Sequence, residues 1–368
     1  MSLNLQHIRR ELHRIPELAF QENQTKKLLL SHLKKLPGIR IREFSSNTGI
    51  LVEYSHGAGP YMLFRADMDA LPVSENSGCD FASQHPGLMH ACGHDIHMTV
   101  LLGLIERVVS QATERNLLFL FQPAEEGQGG AQSVLAEGLI QEYDVKAAFA
   151  LHVAFGLPVG TVSSRAGIFF GIPQEFDVTF IGKSAHAAFP EEGVNALSAA
   201  RDFLDLMDQD MAKLSADHRL IFHVGKLEAG TVRNVVPERC VLQGTQRSLE
   251  KALSDQINQL IKHNATQAAQ KHGADFEFEL LSSYDPVVNA TDLVERLKDA
   301  CAQTGISFQE AEIVLTGEDF GFFTSIYPGL LFWLGSGCSE PLHSSKFLPN
   351  EACIEVGMQV FEALIQAD

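Results

Sequence analysis

At 368 residues the chain exceeds the size at which one hydrophobic core usually stops growing, so two domains are expected. Apolar residues at 45% and charged residues at 20% describe an ordinary globular protein and exclude long disordered tracts. A formal charge of -18 repels phosphate backbones and anionic lipid, which argues against nucleic acid and membrane partners.

The six cysteines include no CxxC pair, the usage of a reduced intracellular chain rather than a disulfide framework. Arg9, Arg10 and Glu11 interrupt the apolar residues of the N-terminal segment, leaving no h-region for export, and no later run approaches a membrane span. A cytoplasmic location is expected. Ser2 and Leu3 read as a cloning remnant.

In chain order, amphipathic periodicity predicts helices near 3 to 13 and 22 to 35, a strand at YMLFRADM, and a helix from about 95 to 110. NLLFLFQ (116 to 122) and KAAFALHV (146 to 153) are almost continuously apolar, as strands buried on both faces of a sheet are. From about residue 172 the grammar changes. PQEFDVTFIG alternates as a strand, VNALSAARDFLDLMDQDMAKL is helical, and RLIFHVGKL and RCVLQGTQRSL are strands. EKALSDQINQLIKHNATQAAQKHG is helical again and ADFEFELL a final strand, giving the order βαββαβ of a ferredoxin-like insert. After about 283 the first pattern resumes, with a helix near 291 to 303, the run GLLFWLG (329 to 335) and a closing helix near 351 to 366. The expected fold is therefore α/β: a mixed-sheet domain with helices on both faces, built from 1–171 and 284–368 and interrupted by an α+β insert at 172–283.

MHACGHDIHM (89 to 98) stands just before a predicted helix, with Cys92 and His94 flanking Gly93. Alone, the pair is equally compatible with a core cysteine and a helix cap. FQPAEEG (121 to 127) ends a buried strand in two carboxylates. Because successive side chains leaving a strand point to opposite sides, one can bind metal while the other faces water, the division that metal-assisted hydrolysis needs. ALHV puts His152 at the end of another apolar strand, and GCSEPLHSSKF puts His343 in the loop after GLLFWLG. Candidates gathered at the ends of several buried strands are what an open α/β sheet offers at its crevice. In RADMDALP, Asp67 and Asp69 either form a turn or, for Asp69, accept a hydrogen bond from a ligand histidine and fix its tautomer. The single Trp333 reads as core.

HACGHD, FQPAEEG, LHV, GKSAHAAFP and TGEDFG, in this order, resemble the aminoacylase and carboxypeptidase superfamily of dinuclear metal hydrolases. The likeness covers nearly the whole chain. The Cys-Gly-His element is similar to the branch that hydrolyses N-acyl amino acids, which includes hippurate hydrolases and plant auxin-conjugate hydrolases. The resemblance implies two divalent ions (zinc, cobalt, nickel or manganese) held by Cys92, His94, Glu126, His152 and His343, with Cys92 bridging. It implies that Glu125 is the general base and that Asp69 is a second catalytic acid. It further implies that His186, in GKSAHAAFP, stabilises the oxyanion from the partner subunit of a homodimer formed through the insert. Asn234, Arg247 and Glu318 are implied as substrate-binding positions, with Gly317 and Asp319 shaping the pocket. The implied substrate is a small N-acyl amino acid; a metal-binding homologue without turnover is the alternative of a different class.

Overall fold

The computed structural model describes residues 3–127 and 129–367, so Ser2 lies outside the described residues. Two compact units divide the chain. The first comprises residues up to Phe169, Val287–Glu312 and the residues from Glu318 onward; the second comprises Phe170–Pro286 with Ile313–Gly317.

The first unit opens with α1 (Leu5–Arg14) and α2 (Asn23–Leu33); α1 starts where the Asn4 side chain accepts a hydrogen bond from the His7 amide. Strands β1 (Arg40–Glu43), β2 (Ile50–Tyr54) and β3 (Tyr61–Asp67) follow, then α3 (His94–Gln111), β4 (Asn116–Gln122), α4 (Gly130–Ala136) and β5 (Val145–Ala154). Short strands β6 (Thr161–Ser164) and β7 (Gly167–Phe170) lead to the second unit, which holds β8 (Ile172–Ile181), α5 (Ala196–Leu214), β9 (Ile221–Ala229), β10 (Arg239–Ser248), α6 (Lys251–His272) and β11 (Asp275–Ser283). The chain then returns through β12 (Val287–Asn289), α7 (Thr291–Thr304), β13 (Ser307–Glu310), α8 (Gly321–Thr324), β14 (Gly329–Gly335) and α9 (Ala352–Gln366).

The large sheet has ten strands in the order β1-β2-β4-β3-β5-β14-β12-β7, with β6 and β13 beside that path. Its centre is parallel, β3 running with β4 and β5, and β5 with β14, while β1 and β2 are antiparallel. This is the mixed sheet expected. Every residue of β4 is buried, because helices leave no wet face, and Phe64, Phe119 and Phe149 stack across three neighbouring strands. Each such phenylalanine contributes roughly 1.5–3 kcal/mol through burial. Helix α3 is apolar on nearly every side and buried from His94 to Ile105, which makes it a core helix rather than a surface one.

In the second unit the sheet order is β11-β8-β10-β9, wholly antiparallel, the arrangement that the βαββαβ reading predicts. Phe176, Val178 and Phe180 alternate onto one face of β8 and pack against Phe203, Met207, Ile257 and Ile261 of the two helices. Val314 joins this unit through a parallel bridge to Phe170 and accepts a hydrogen bond from the Gly171 amide at 2.9 Å.

Candidate metal centre

The carboxyl ends of β3, β4 and β5 and the start of α3 carry the polar side chains that the apolar sheet does not need. His94 is the first residue of α3, and Gly93 before it has φ +83. A Cβ there would also lie 2.5 Å from Val153 Cγ2, so only glycine lets the turn bring Cys92 and His94 against β5. His152 lies near the end of β5, opposite Trp333 of β14. Trp333 is partly exposed and stands edge-on to the His152 ring at 5.3 Å between centroids. His343 has a left-handed backbone at φ +66, and its amide donates to the Ala91 carbonyl at 2.9 Å, which ties its loop to the Cys92 segment.

These elements bring the candidate ligands together in overlapping groups. One donor atom each from Cys92, His94 and His152 lie within 4.8 Å of one another, and so do those of Cys92, Glu126 and His343. Cys92 belongs to both triads. The hydrogen bonds fix what the rings present. His94 Nδ1 is 2.8 Å from the Asp69 carbonyl, and His152 Nδ1 is 2.8 Å from the Val153 carbonyl. A carbonyl cannot donate, so both Nδ1 atoms carry hydrogen and Nε2 is the nitrogen that each ring turns to the site. His152 Nε2 meets Cys92 Sγ at 3.3 Å, whereas His94 Nε2 is buried without any hydrogen-bond partner. Ligand imidazoles are oriented in this way, and a buried ring nitrogen without a hydrogen-bond partner is one where a cation can replace the proton. Thiolate, imidazole and carboxylate together suit zinc and its first-row neighbours.

Glu125 and Glu126 do not diverge as strand alternation predicts: one donor oxygen of each lies within 4.8 Å of the other and of a His94 ring nitrogen. The reason is local. The chain leaves β4 through Pro123 and turns at Ala124, a non-glycine residue with φ +56. Gly130, where a Cβ would fall 1.7 Å from the Pro123 carbonyl oxygen, closes the turn from the far side. The Asp69 carboxylate accepts from the amides of both Glu125 and Glu126, each at 3.0 Å, and Glu22 accepts from the Ala124 amide at 3.0 Å. Asp69 thus serves the site twice, through its carbonyl on His94 and through its carboxylate on the glutamate turn; its Oδ1 is 3.4 Å from His94 Nδ1.

Electrostatics separates the two glutamates. Burial pushes Glu125 well above the usual carboxylate range, reinforced by Glu318, Glu126 and Asp319. Glu126 moves down despite burial, because His343 and His94 stabilise its charge. The two neighbouring carboxylates are thus pushed in opposite directions, Glu125 towards the protonated form and Glu126 towards the charged one. Burial opposes protonation of His94, yet Asp67, Asp69 and Glu126 raise it to about 10. This acidic nest selects positive charge, which a metal ion satisfies as well as a proton does. Burial and the surrounding carboxylates push the Cys92 thiol up, a tendency that a bound cation reverses.

Arg65 and His97 lie inside RADMDALP and MHACGHDIHM, yet the sequence gives them no role of their own. Asp67 accepts from His97 Nδ1 and from Arg65, each at 2.6 Å, and His97 Nε2 receives the Val153 amide at 2.9 Å. Arg65 is fully buried and also reaches Asp319 at 2.7 Å and Glu318 at 3.1 Å. An arginine inside an otherwise apolar strand was the available signal, since a buried guanidinium requires anions. Glu318 is therefore engaged with Arg65, while Asp319 also accepts from Gln122 and from the Ala131 amide.

The remaining candidates belong to the second unit. His186 is exposed and bridges to Val235, and the Ala187 amide donates to the Asn234 carbonyl at 3.0 Å, so these loops lie side by side. Ala188 donates to His186 Nδ1 at 3.1 Å, which leaves the ring hydrogen on Nε2. Arg247, on β10, donates to the Leu315 carbonyl at 3.2 Å.

Comparison with known proteins follows the same lines. The chain is 37% identical over 369 residues to a protein of Oceanobacillus iheyensis named N-acetyldiaminopimelate deacetylase, covering 99% of each. It is 37% identical over 357 residues to a Bacillus subtilis protein of the same name, covering 96% of this chain and 95% of that one. A solved Bacillus subtilis structure described as a dinuclear metal binding peptidase from the M20 family superposes with a TM-score of 0.85 at 30% identity, over 98% of this chain and 96% of that one. Residues 63–367 match the model of peptidase family M20/M25/M40, and the chain belongs to that family.

Proposed function

We propose that the chain is a metal-dependent amidohydrolase that removes the acetyl group from N-acetyl-LL-2,6-diaminopimelate, giving LL-2,6-diaminopimelate and acetate in the acetylated branch of lysine synthesis. The observation that carries the hydrolase reading is the convergence of Cys92, His94 and His152, two of them imidazoles that turn Nε2 to the site, beside Glu125. The full-length likeness to the deacetylases supports the substrate.

In this reading Cys92, His94, Glu126, His152 and His343 would hold two divalent ions. When bound, such ions polarise an amide carbonyl and make water more acidic. Glu125 takes a proton from the attacking water and delivers it to the leaving amine nitrogen; its raised proton affinity suits both steps. Asp69 holds the backbone of Glu125 and Glu126 in place.

The first unit would be the catalytic domain and the insert a dimerisation domain. Exposed Ile221 and Leu227 on β9, and Leu280 and Leu281 on β11, lie on the two edge strands of the small sheet, where strands of another copy can add. His186 of one copy, with its hydrogen on Nε2, would then donate to the oxyanion in the other, and Asn234 and Arg247 would hold the substrate carboxylate. Among the described residues no helix is long and apolar enough to cross a membrane, and all six cysteines are free, in keeping with a cytoplasmic enzyme.

The test is Glu125→Gln. It should retain metal while kcat on the acetylated substrate drops by at least ~100-fold. Near-wild-type turnover would end the proposal. Wild-type kinetics on hippurate alongside the acetylated diamino acid check the substrate, since a preference for the benzoyl amide would replace it with a broader acyl hydrolase.

A further inference from the structure

A second set of metal-ligating side chains lies in the first unit and shares no donor with the centre above. His13 of α1, Glu75 and Cys79 of the loop after β3 place His13 Nε2, a Glu75 oxygen and Cys79 Sγ within 4.8 Å of one another. Glu75 Oε1 is 3.1 Å from His13 Nε2 and 3.7 Å from Cys79 Sγ. Donors bound at about 2.0–2.3 Å to a tetrahedral ion lie roughly 3.3–3.6 Å apart, so these spacings need little adjustment.

The surroundings are those of a ligand set. His13 Nδ1 is 2.7 Å from Asp95 Oδ2, the carboxylate-behind-histidine arrangement that orients a metal-binding ring. Arg9 Nε lies 2.9 Å from the same oxygen and holds Asp95 in turn. Glu75 is itself fixed, Oε2 accepting from the Ser83 amide at 2.6 Å and Oε1 from the Ser77 hydroxyl. His13 is fully buried while Cys79 is half-buried, so a path from solvent exists on the thiol side. Burial opposes ionisation of Cys79, yet His13 and Ser77 bring its pKa below the ordinary thiol value.

We propose that His13 Nε2, Glu75 and Cys79 Sγ form an accessory site for one thiophilic divalent cation such as zinc, with water as the fourth ligand. Binding releases the His13 Nε2 proton and the Cys79 thiol proton to solvent, and the cation's two charges replace them. The net charge of the cluster is therefore unchanged, and Arg9, Asp95 and Glu75 keep their balance. An occupied site would pin the loop from Val73 to Ser83 to α1; that loop also meets the His343 loop, through the Asn76 amide on the Ser345 carbonyl at 2.7 Å.

Cobalt is the probe, because thiolate coordination gives it a charge-transfer absorption in the near ultraviolet. A Cys92→Ser variant removes the only cysteine of the proposed catalytic set, so its absorption reports on other thiols whatever becomes of the main centre. The expected result is one equivalent of thiolate-bound cobalt in Cys92→Ser, displaced by zinc, and its complete loss in Cys92→Ser/Cys79→Ser with an unchanged circular dichroism spectrum. No such band in folded Cys92→Ser, or a band that survives in the double variant, overturns the site.

Discussion

Glu22 offers a stability measurement that isolates one buried charge. Its carboxylate is fully buried beneath the glutamate turn, accepting from the amides of Phe20 and Ala124, each at 3.0 Å, and from the Thr48 hydroxyl. No cation among the described residues forms an ion pair with it. Burial pushes its pKa from 4.5 to about 7; the hydrogen bond from Thr48 opposes this shift and the charge of Asp69 adds to it. Between those two values the folded state binds more proton than the unfolded one, so stability is full below about pH 4.5 and falls as pH rises to about 7. At 1.36 kcal/mol per unit the loss is about 3 kcal/mol. Glu22→Gln keeps the shape and the acceptor for Ala124, donates to Thr48 in place of accepting, and has no charge to bury. Urea unfolding of metal-stripped protein should therefore find the variant equal to wild type near pH 4.5 and up to ~3 kcal/mol more stable at pH 8. A difference that does not change with pH, or a variant weaker at pH 8, would refute this account of the burial.

Asp69→Asn should be costly despite its small size, because an amide can accept from only one of the Glu125 and Glu126 amides and turns a donor towards the other. About 2–4 kcal/mol of stability should disappear together with most turnover, read by urea midpoint and kcat; retention of both would show the carboxylate to be dispensable. Arg65→Met strands Asp67, Glu318 and Asp319 without their shared cation, and should lower stability by about 3–5 kcal/mol in thermal or urea unfolding. A loss under about 1 kcal/mol would mean the acids simply take up protons. Chelation should lower Tm reversibly, by the equivalent of ~4 kcal/mol for metal a thousandfold above its Kd. An identical Tm with and without metal would contradict ligation by buried side chains.

The architecture was legible where burial imposes a pattern. Continuous apolar runs identified β4, β5 and β14, and alternation identified β8, because a sheet covered on both faces and a sheet covered on one leave different periods. The short strands β1 and β13 escaped because four residues at a partly wetted margin give no period to read, and β6 because its buried residues are mostly serine and threonine, with only Val162 apolar. The return of Ile313–Gly317 to the second unit escaped for a different reason: Val314 belongs there through a bridge to Phe170, and pairing partners far apart in the chain leave no trace in local composition.

The site was legible in its donors and opaque in what aims them. Cysteine, histidine and paired glutamates declare their chemistry by type, so the candidate set could be named before any coordinate. Strand alternation gave the wrong geometry for Glu125 and Glu126, because a left-handed Ala124 had already taken the chain out of the strand. The tautomers of His94 and His152 depend on the carbonyls of Asp69 and Val153, atoms that every residue type possesses. Their positions are set by the register of β3 and β5 in the sheet, whose pairing aligns Leu63 with Ala148 and Arg65 with Ala150. A one-residue slip of β5 would turn His152 to the opposite face and carry the Val153 amide away from His97. The precision of this centre is thus a property of the apolar sheet beneath it, and substitutions that loosen that packing should weaken metal binding without touching a ligand.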